Sequence, residues 1–399
     1  MKYLFVLGNN PALSLAELSA VFGGENVKLI NNDLAVVDIE KIDSEKTIKN
    51  LGGTIKIASL EKELSDQSQI KEEALKLIKE KASTSVGKIK FGLSPYGKGF
   101  KNIHKLGLEI KKGLKEKNIN SRLVTSKEKN LSSVVVETNK LTGPGIEIVL
   151  TKHQNKIFLG KTLAVQAFKG LSFRDYSRPA RDSRSGMLPP KLAQILINLA
   201  GGRDKKDSLL LDPFCGSGTI LTEAALMGYK NIIGSDTSEK AIKDTEENLN
   251  WTKEKFGLNQ INCQLLEIKA EKISLKIKPE SVDLIVTEPY LGPQRGKINF
   301  KKTVSELEEL YSKSLQELEK VLKPEGKIVM IWPIFQNGEQ ILEPKLKNFK
   351  IQSCLQENLE KNPSLKLTPR NTIIYHRPEQ KVWREIVILK KEGENEKKK

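Results

Sequence analysis

The sequence Leu209-Leu210-Leu211-Asp212-Pro213-Phe214-Cys215-Gly216-Ser217-Gly218-Thr219-Ile220 starts with an apolar run, which leads into an acid and a turn of small residues. A helical pattern follows, so this segment predicts a strand, a tight turn and a helix. In an open parallel sheet, ligands bind beyond the carboxyl ends of the strands, which is where the turn would lie. Gly216 and Gly218 let the backbone approach a ligand closely and adopt positive φ. The turn is therefore the predicted ligand site.

The residue types in this turn restrict the ligand. The turn lacks the lysine of the Gly-x-x-x-x-Gly-Lys-Ser/Thr phosphate loop and the full Gly-x-Gly-x-x-Gly spacing. Asp212 would repel a phosphate, whereas it suits a cationic or hydroxyl-rich ligand such as S-adenosylmethionine, which has an amino group and a ribose. Asp236 ends the next apolar run, about 20 residues past the glycines, where an acid can accept both ribose hydroxyls.

A third apolar run, Val282-Asp283-Leu284-Ile285-Val286-Thr287, leads into Glu288, Pro289 and Tyr290. It is again a strand that ends in an acid, here followed by a proline and an aromatic residue. Because the carboxyl ends of parallel strands share one edge of a sheet, all three acids are predicted to point into one crevice.

Composition narrows the class of protein. A chain of 399 residues is long enough for two or three domains. Its longest apolar run, Ile328 to Phe335, is far shorter than the roughly 20 residues of a membrane span, and the apolar start is too short for a signal peptide. Three distant cysteines indicate neither a disulfide framework nor a metal site. A cytoplasmic protein with no membrane association is expected.

The positive charge is concentrated in one quarter of the chain. Residues 81–180 contain 20 Lys and Arg against 6 Asp and Glu, a net charge of +14 out of +17 for the whole chain. Within them, an apolar stripe at helical spacing predicts a basic amphipathic helix from Lys101 to Lys117. A solvated face, a membrane-surface helix and a phosphate-binding face are the alternatives. The concentration of charge favours a polyanion, and the candidate contacts are Lys101, Lys105, Lys111, Lys112, Lys115, Lys117 and Arg122.

Three segments resemble a known family. Asp212 to Thr219 is similar to the first motif of class I S-adenosylmethionine methyltransferases that act on exocyclic amines of nucleic-acid bases. Thr287-Glu288-Pro289-Tyr290 resembles their catalytic Asp/Asn-Pro-Pro-Tyr/Phe motif, with Glu at the acid and one proline. Arg178-Pro179 and Ser185 to Ala193 resemble the lead-in of tRNA guanine-N2 methyltransferases that have an N-terminal THUMP domain, a module that grips the acceptor end of tRNA.

The resemblance implies roles for the motif residues. It assigns cofactor binding to Asp212, Pro213, Phe214, Gly216, Gly218, Thr219, Asp236 and Thr287. It assigns catalysis to Glu288, Pro289 and Tyr290. The acid would accept the hydrogen bond of a guanine 2-amino group and offset its developing charge, the proline would stiffen the turn, and the aromatic ring would stack on a flipped base. In similar enzymes, an Asp after the third strand, here predicted at Ile261 to Leu266, accepts the adenine amino group. In this chain that Asp is replaced by Lys269, or displaced to Glu267 or Glu271.

The expected fold is α/β. A Rossmann-like class I methyltransferase domain, with a mostly parallel seven-stranded sheet and an antiparallel terminal strand, follows an α+β N-terminal region that includes a THUMP domain. The expected boundaries are a ferredoxin-like region at 1–62, the THUMP-type RNA-binding domain at 63–165, a linker at 166–186, the methyltransferase domain at 187–390 and a disordered tail at 391–399. Ser14 is predicted to cap the first helix, in a capping box with Glu17, and Val134 to Glu137 to form a strand.

The expected function is methylation of a guanosine 2-amino group in tRNA, with S-adenosylmethionine as cofactor. The alternatives are a non-catalytic RNA-binding protein with a degenerate methyltransferase domain and an amine methylase that acts on rRNA or DNA. The sequence leaves open whether an accessory protein takes part.

Overall fold

The computed structural model describes residues 1–181, 187–201, 207–293, 299–335, 340–376, 380 and 382–392. The last five residues of the expected linker and all but the first two residues of the expected tail lie outside this part of the chain. The chain divides into two compact units, the first made of Met1–Leu15 and Phe22–Gly170 and the second of Ala16–Val21 and Leu171–Lys399.

The N-terminal elements build one eight-stranded sheet in the order β2-β3-β1-β4-β8-β7-β5-β6. The strands are β1 (Lys2–Leu7), β2 (Val27–Asn31), β3 (Leu34–Asp38), β4 (Thr54–Leu64), β5 (Ile89–Tyr96), β6 (Ser121–Val124), β7 (Ile146–His153) and β8 (Lys156–Val165). The helices are α1 (Pro11–Phe22), α2 (Ser44–Lys49), α3 (Gln69–Ser83), α4 (Ile103–Glu116), α5 (Ser133–Thr138) and α6 (Phe168–Tyr176), with a 3-10 turn at Gly24–Asn26. Strand β5 is parallel to β6 and β7, and the other pairs are antiparallel.

A buried polar network crosses the middle of this sheet. Lys56 on β4 and Glu147 on β7 form a fully buried ion pair, with Nζ 2.5 Å from Oε1. Ser94 and Thr162 donate to the same carboxylate at 2.5 and 2.6 Å, so β4, β5, β7 and β8 are joined. Burial lowers the pKa of the Lys56 ammonium, and Glu147 opposes that effect. Residues 62 and 63, which lie on either side of the expected boundary between the ferredoxin-like region and the THUMP-type domain, are both in β4. The sheet therefore continues across that expected boundary.

The predicted strand at Val134 to Glu137 is wrong, because these residues lie in α5. The run of β-branched residues favours a strand by intrinsic propensity. The side chain of Ser132 instead accepts a hydrogen bond from the Val135 amide at 3.3 Å and caps a helix, and Val136 is fully buried. Capping and burial together override the local preference.

The predicted cap at Ser14 is also wrong. Helix α1 starts three residues earlier, at Pro11, and Asn10 Oδ1 accepts from the Leu13 amide at 3.1 Å. Ser14 lies inside the helix and donates to the Gly53 carbonyl at 2.7 Å. An Asn before a proline at the first helical position is itself a start signal.

The second sheet has the order β11-β10-β9-β12-β13-β17-β15, with β14 beside β13 and β16 beside β17. Its strands are β9 (Leu209–Asp212), β10 (Asn231–Asp236), β11 (Asn262–Glu267), β12 (Val282–Thr287), β13 (Leu322–Phe335), β14 (Gln340–Ile341), β15 (Phe349–Gln352), β16 (Ile373–Tyr375) and β17 (Trp383–Lys391). The helices are α7 (Pro190–Gly201), α8 (Thr219–Leu226), α9 (Glu239–Phe256), α10 (Phe300–Val321) and α11 (Glu357–Glu360), with a 3-10 helix at Ala270–Leu275.

The strands from β9 to β13 are parallel, and β17 is antiparallel to β13 and β15. The chain runs outward from β9 through β10 to β11 and then returns to β12 on the other side of β9. This reversal of strand order creates a crevice at the carboxyl ends of β9 and its neighbours. The expected fold class is confirmed, and the crevice lies where the three predicted acids end their strands.

Candidate active site

The turn after β9 has the backbone conformation that its glycines predict. Gly216 and Gly218 have φ of 52° and 79°, in the left-handed region that side chains resist. A Cβ at Gly218 would also lie 2.8 Å from Thr245 Cγ2, whereas nothing lies within 4 Å of the Cβ position of Gly216. Gly218 is thus needed for close packing against α9, and Gly216 leaves open space at the turn.

Asp236 holds this turn from the neighbouring strand. Its Oδ2 accepts from the Gly216 amide at 3.1 Å and its Oδ1 from the Ser238 amide at 3.0 Å. The side chain is only half-buried, so its remaining acceptor capacity is available to hydroxyl groups of a ligand.

Asp212 joins the end of β9 to the end of β12. The side chain is 1% exposed, and its Oδ1 accepts from Thr287 Oγ1 at 2.7 Å and from the Phe214 amide at 3.2 Å. Burial raises the pKa of Asp212 to about 7; the Thr287 hydrogen bond opposes the rise, and the charges of Asp236 and Glu288 add to it. The three predicted acids therefore lie close enough to influence one another.

The raised pKa of Asp212 predicts that the free energy of unfolding falls as pH rises. The unfolded carboxyl ionises near pH 4 and the folded one near pH 7. The folded state therefore binds the proton more tightly. The stability that this proton contributes is fully present below about pH 4, falls as pH rises from there, and is lost once pH passes 7. Asp212→Asn removes the titration while keeping an acceptor for Thr287. Relative to the parent, the free energy of unfolding of this variant should rise by about 3 kcal/mol between pH 5 and pH 8. Urea denaturation at the two pH values measures the difference, and parallel changes in both proteins would contradict it.

The turn after β12 presents the acid, proline and aromatic side chains. Thr287 and Pro289 are buried, whereas Tyr290 is 59% exposed. The Tyr290 carbonyl accepts a hydrogen bond from the hydroxyl of Tyr311, a buried residue of α10, at 2.9 Å. Gly292 follows with φ of 88°. The backbone of the turn is thus fixed from inside while the Tyr290 side chain remains exposed.

Glu288 has a partner that sequence reasoning missed. Arg384 on β17 donates from Nε to Glu288 Oε1 at 2.5 Å and from Nη2 to Oε2 at 3.5 Å. The two side chains are 8% and 12% exposed. The signal available in the sequence is the pair Arg384-Glu385 inside the otherwise apolar run from Val382 to Leu389, because charges in a buried strand need partners.

A second missed group lies against the glycine turn. Arg178 is 6% exposed and donates from Nη1 to Thr219 Oγ1 at 2.6 Å. Burial lowers the pKa of its guanidinium, and within the described part of the chain its buried Nε has no hydrogen-bond partner. Asn248 pairs with both backbone groups of Ala180 at 2.9 and 3.0 Å, and donates to the Ser217 carbonyl at 2.8 Å. The segment from Arg178 to Ala180 is therefore fastened to the turn.

The acids considered for adenine recognition differ in position. Glu267 ends β11 directly beside Asp236 in the parallel register and is exposed, whereas Glu271 lies in the 3-10 helix after Lys269. Of the two, Glu267 has the place at a strand end that the other acids of the crevice share.

The predicted RNA-binding cations lie on α4, in the segments flanking it and on β6. All seven are exposed, while Ile110 and Leu114 on the opposite face of α4 are fully buried. Within the described residues, none of the seven forms an ion pair, whereas exposed lysines on α9 and α10 are paired with carboxylates one helical turn away. The α4 cations are therefore available to an external anion.

Two further observations concern membrane-spanning helices and metal sites. Among the described helices, none is both long and apolar enough to cross a bilayer. Across the same residues, His, Cys, Asp and Glu side chains form no group of three or more that would hold a metal ion.

The sheet order and the crevice define a class I methyltransferase fold. The fold is shared with TrmN from Thermus thermophilus, whose crystal structure aligns with a TM-score of 0.52 and 19% identity over 98% of this chain and all of that one. Residues 178–353 match the family model of an RMKL-like methyltransferase domain. Residues 52–247 match the model of a DNA methylase family.

Sequence relatives carry more specific names. Over 218 residues, which are 52% of this chain and 56% of the relative, the chain is 31% identical to tRNA (guanine(10)-N2)-dimethyltransferase of Methanocaldococcus jannaschii. It is 32% identical to the protein of the same name from Methanothermobacter thermautotrophicus over 40% of this chain and 43% of that one. A human U6 snRNA (guanine-N2)-methyltransferase is 30% identical over 48% of this chain and 33% of its own. The predicted resemblance to guanine-N2 methyltransferases is confirmed, and the chain spans about half the length of the archaeal relatives that it matches.

Proposed function

We propose that this protein transfers a methyl group from S-adenosylmethionine to the exocyclic 2-amino group of a guanosine in tRNA. The observation that carries the proposal is the set of hydrogen bonds that joins three strand ends into one crevice. Asp236 holds the glycine turn, and Asp212 joins that turn to Thr287, the residue before Glu288. This arrangement supports a ligand site next to Glu288, the acid that we propose accepts a hydrogen bond from the amine.

The residues of the crevice fit S-adenosylmethionine. Gly216 leaves open space at the turn, and Asp236 retains acceptor capacity for the ribose hydroxyls. The Nε of the buried Arg178, which has no hydrogen-bond partner among the described residues, suits a carboxylate. Both hydrogen bonds described for Asp236 come from backbone amides, so its charge is not offset by a cation there and suits a cationic ligand. When bound, the cofactor supplies an electrophilic methyl group on its sulfonium.

The chain's own groups would then act on the nucleotide. A guanine 2-amino group is a poor nucleophile because its lone pair is delocalised into the ring. The Glu288 carboxylate would accept a hydrogen bond from this amine and stabilise the positive charge that develops on it. Pro289 stiffens the turn, and the exposed ring of Tyr290 is available to stack on a base taken out of its helix.

RNA is the substrate that the charge distribution favours. The cations of α4 and β6 have no carboxylate partners among the described residues, so they can neutralise phosphates and release counterions. The region at 63–165 would serve as the THUMP-type RNA-binding module and the region at 187–390 as the methyltransferase domain. Relatives named for guanine-N2 methylation of tRNA and of U6 snRNA support both the base and the class of nucleic acid.

Cofactor binding is tested at Asp236. Asp236→Ala should weaken the affinity for S-adenosylmethionine by roughly 10- to 100-fold, because hydrogen bonds to a charged acceptor are lost. The affinity for tRNA should stay within twofold. Isothermal titration measures both, and Asp244→Ala is the matched control, since Asp244 lies on α9 and pairs with Lys240. Equal cofactor affinity in the Asp236 variant and the parent would refute this assignment.

The reaction is tested by mass spectrometry of nucleosides. Bulk tRNA, rRNA and DNA are incubated separately with the protein and methyl-labelled cofactor, then digested. The expected result is labelled N2-methylguanosine from tRNA alone. Label in another nucleoside or nucleic acid would support an amine methylase of different specificity. Cofactor binding with no label in any arm would support the non-catalytic RNA-binding alternative.

A further inference from the structure

Arg384 binds one oxygen of the Glu288 carboxylate more closely than the other. Arg384 Nε lies 2.5 Å from Oε1, but the second contact, from Nη2 to Oε2, measures 3.5 Å. One oxygen is thus bound firmly and the other loosely, and the pair is nearly buried. A carboxylate held through one oxygen has a defined orientation and keeps acceptor capacity on the other.

The positions of the two residues in the sheet explain why this pair needs long side chains. Glu288 follows β12, and Arg384 lies on β17, with β13 between the two strands. Two strand spacings are about 10 Å, so both side chains must reach across β13, near Ile331 to Pro333. An Asp at position 288 would fall short by roughly one carbon–carbon bond, about 1.5 Å. The Glu that departs from the usual Asp or Asn therefore matches the Arg on β17.

Arg384 pairs with Glu288 and not with Glu385, its neighbour in sequence. Its backbone is fixed on both sides, by Pro333 of β13 and Tyr375 of β16. The next residue, Glu385, points to the other face of the sheet. There it is bound by Arg370, through Nε at 2.7 Å and Nη2 at 2.5 Å. Each of the two neighbouring carboxylates has its own arginine.

From this arrangement we infer that Arg384 is a positioning residue for methyl transfer: it binds Glu288 Oε1 and thereby presents Oε2 to the target amine. The inference rests on the proposed function and adds a residue that acts through Glu288 without touching the substrate.

A double-mutant cycle between positions 288 and 384 tests the inference. Arg384→Met should lower kcat by roughly 10- to 100-fold, since a misplacement of about 1 Å has an effect of this size. The dissociation constant of S-adenosylmethionine should change less than twofold. In the Glu288→Gln background the same change should lower kcat by less than about threefold, because a group that acts only through Glu288 has little left to position. Arg384→Lys keeps the charge and should restore part of the loss.

Two further variants test whether an effect of Arg384→Met arises from misfolding. Arg370→Met removes the other buried arginine; it should lower the midpoint of thermal unfolding yet change kcat per folded molecule by less than about threefold. The double variant Glu288→Gln, Arg384→Met leaves no unpaired charge, so it remains measurable if Arg384→Met alone unfolds. An inactive parent protein would overturn the proposed function and this inference together. An active parent in which Arg384→Met has the same effect in both backgrounds, or no effect, would overturn this inference alone.

Discussion

Glu288→Gln is expected to lower the turnover number by roughly 100- to 1000-fold while the dissociation constant of S-adenosylmethionine stays within twofold of the parent value. The amide keeps the side-chain length and one acceptor oxygen. It loses the negative charge that offsets the developing cation on the amine, and it leaves Arg384 without a counter-ion. Single-turnover methylation of tRNA with labelled cofactor measures the chemical step directly. Full activity in this variant would mean that Glu288 only supports the turn.

Glu288→Asp is the companion test, because it restores the residue usual at this motif. It should be less active than the parent protein, since the shorter carboxylate cannot reach Arg384 across β13. Asp283→Asn is a matched control: Asp283 lies on β12 at the opposite end of the strand, where it pairs with Lys323. Parent-level activity in Glu288→Asp would show that the contact with Arg384 is dispensable.

Replacing Lys111, Lys112, Lys115 and Lys117 with Gln should weaken tRNA binding by roughly 100-fold near 0.1 M salt. Glutamine keeps a high helix propensity, so α4 should persist. The magnitude of the slope of log affinity against log salt should fall by roughly 3, because about four fewer counterions are released on association. Fluorescence anisotropy with labelled tRNA over a range of salt concentrations measures both quantities.

A second quadruple variant separates position from net charge. The four lysines changed are Lys240, Lys243, Lys313 and Lys361. All are exposed, and each pairs with a carboxylate one helical turn before or after it. Their replacement with Gln changes the net charge of the protein by the same amount. The expected effect on tRNA affinity is under about threefold, since these lysines are already neutralised. Equal effects of the two quadruple variants would show that α4 only contributes to the overall charge.

Prediction from sequence succeeded where the signal is local. The glycine turn after β9 and the acids at the ends of β9, β10 and β12 are predicted correctly, because an apolar run that ends in an acid marks a strand end. The amphipathic pattern of α4 placed its lysines on one exposed face and Ile110 and Leu114 in the core. Prediction failed at Val134 to Glu137, where the burial of Val136 and the cap at Ser132 outweigh the β-propensity of a valine run.

The sequence by itself determined which residues end the strands and which face of α4 is charged, because strand alternation and helical periodicity depend only on neighbours in the chain. The tertiary structure alone decided which side chains meet across the sheet. Arg384 binds Glu288 across 96 residues of sequence, and Asn248 fastens Ala180 to the glycine turn across 68. Contacts at such separations depend on which strands and helices become adjacent when the sheet assembles, and no local pattern encodes that order.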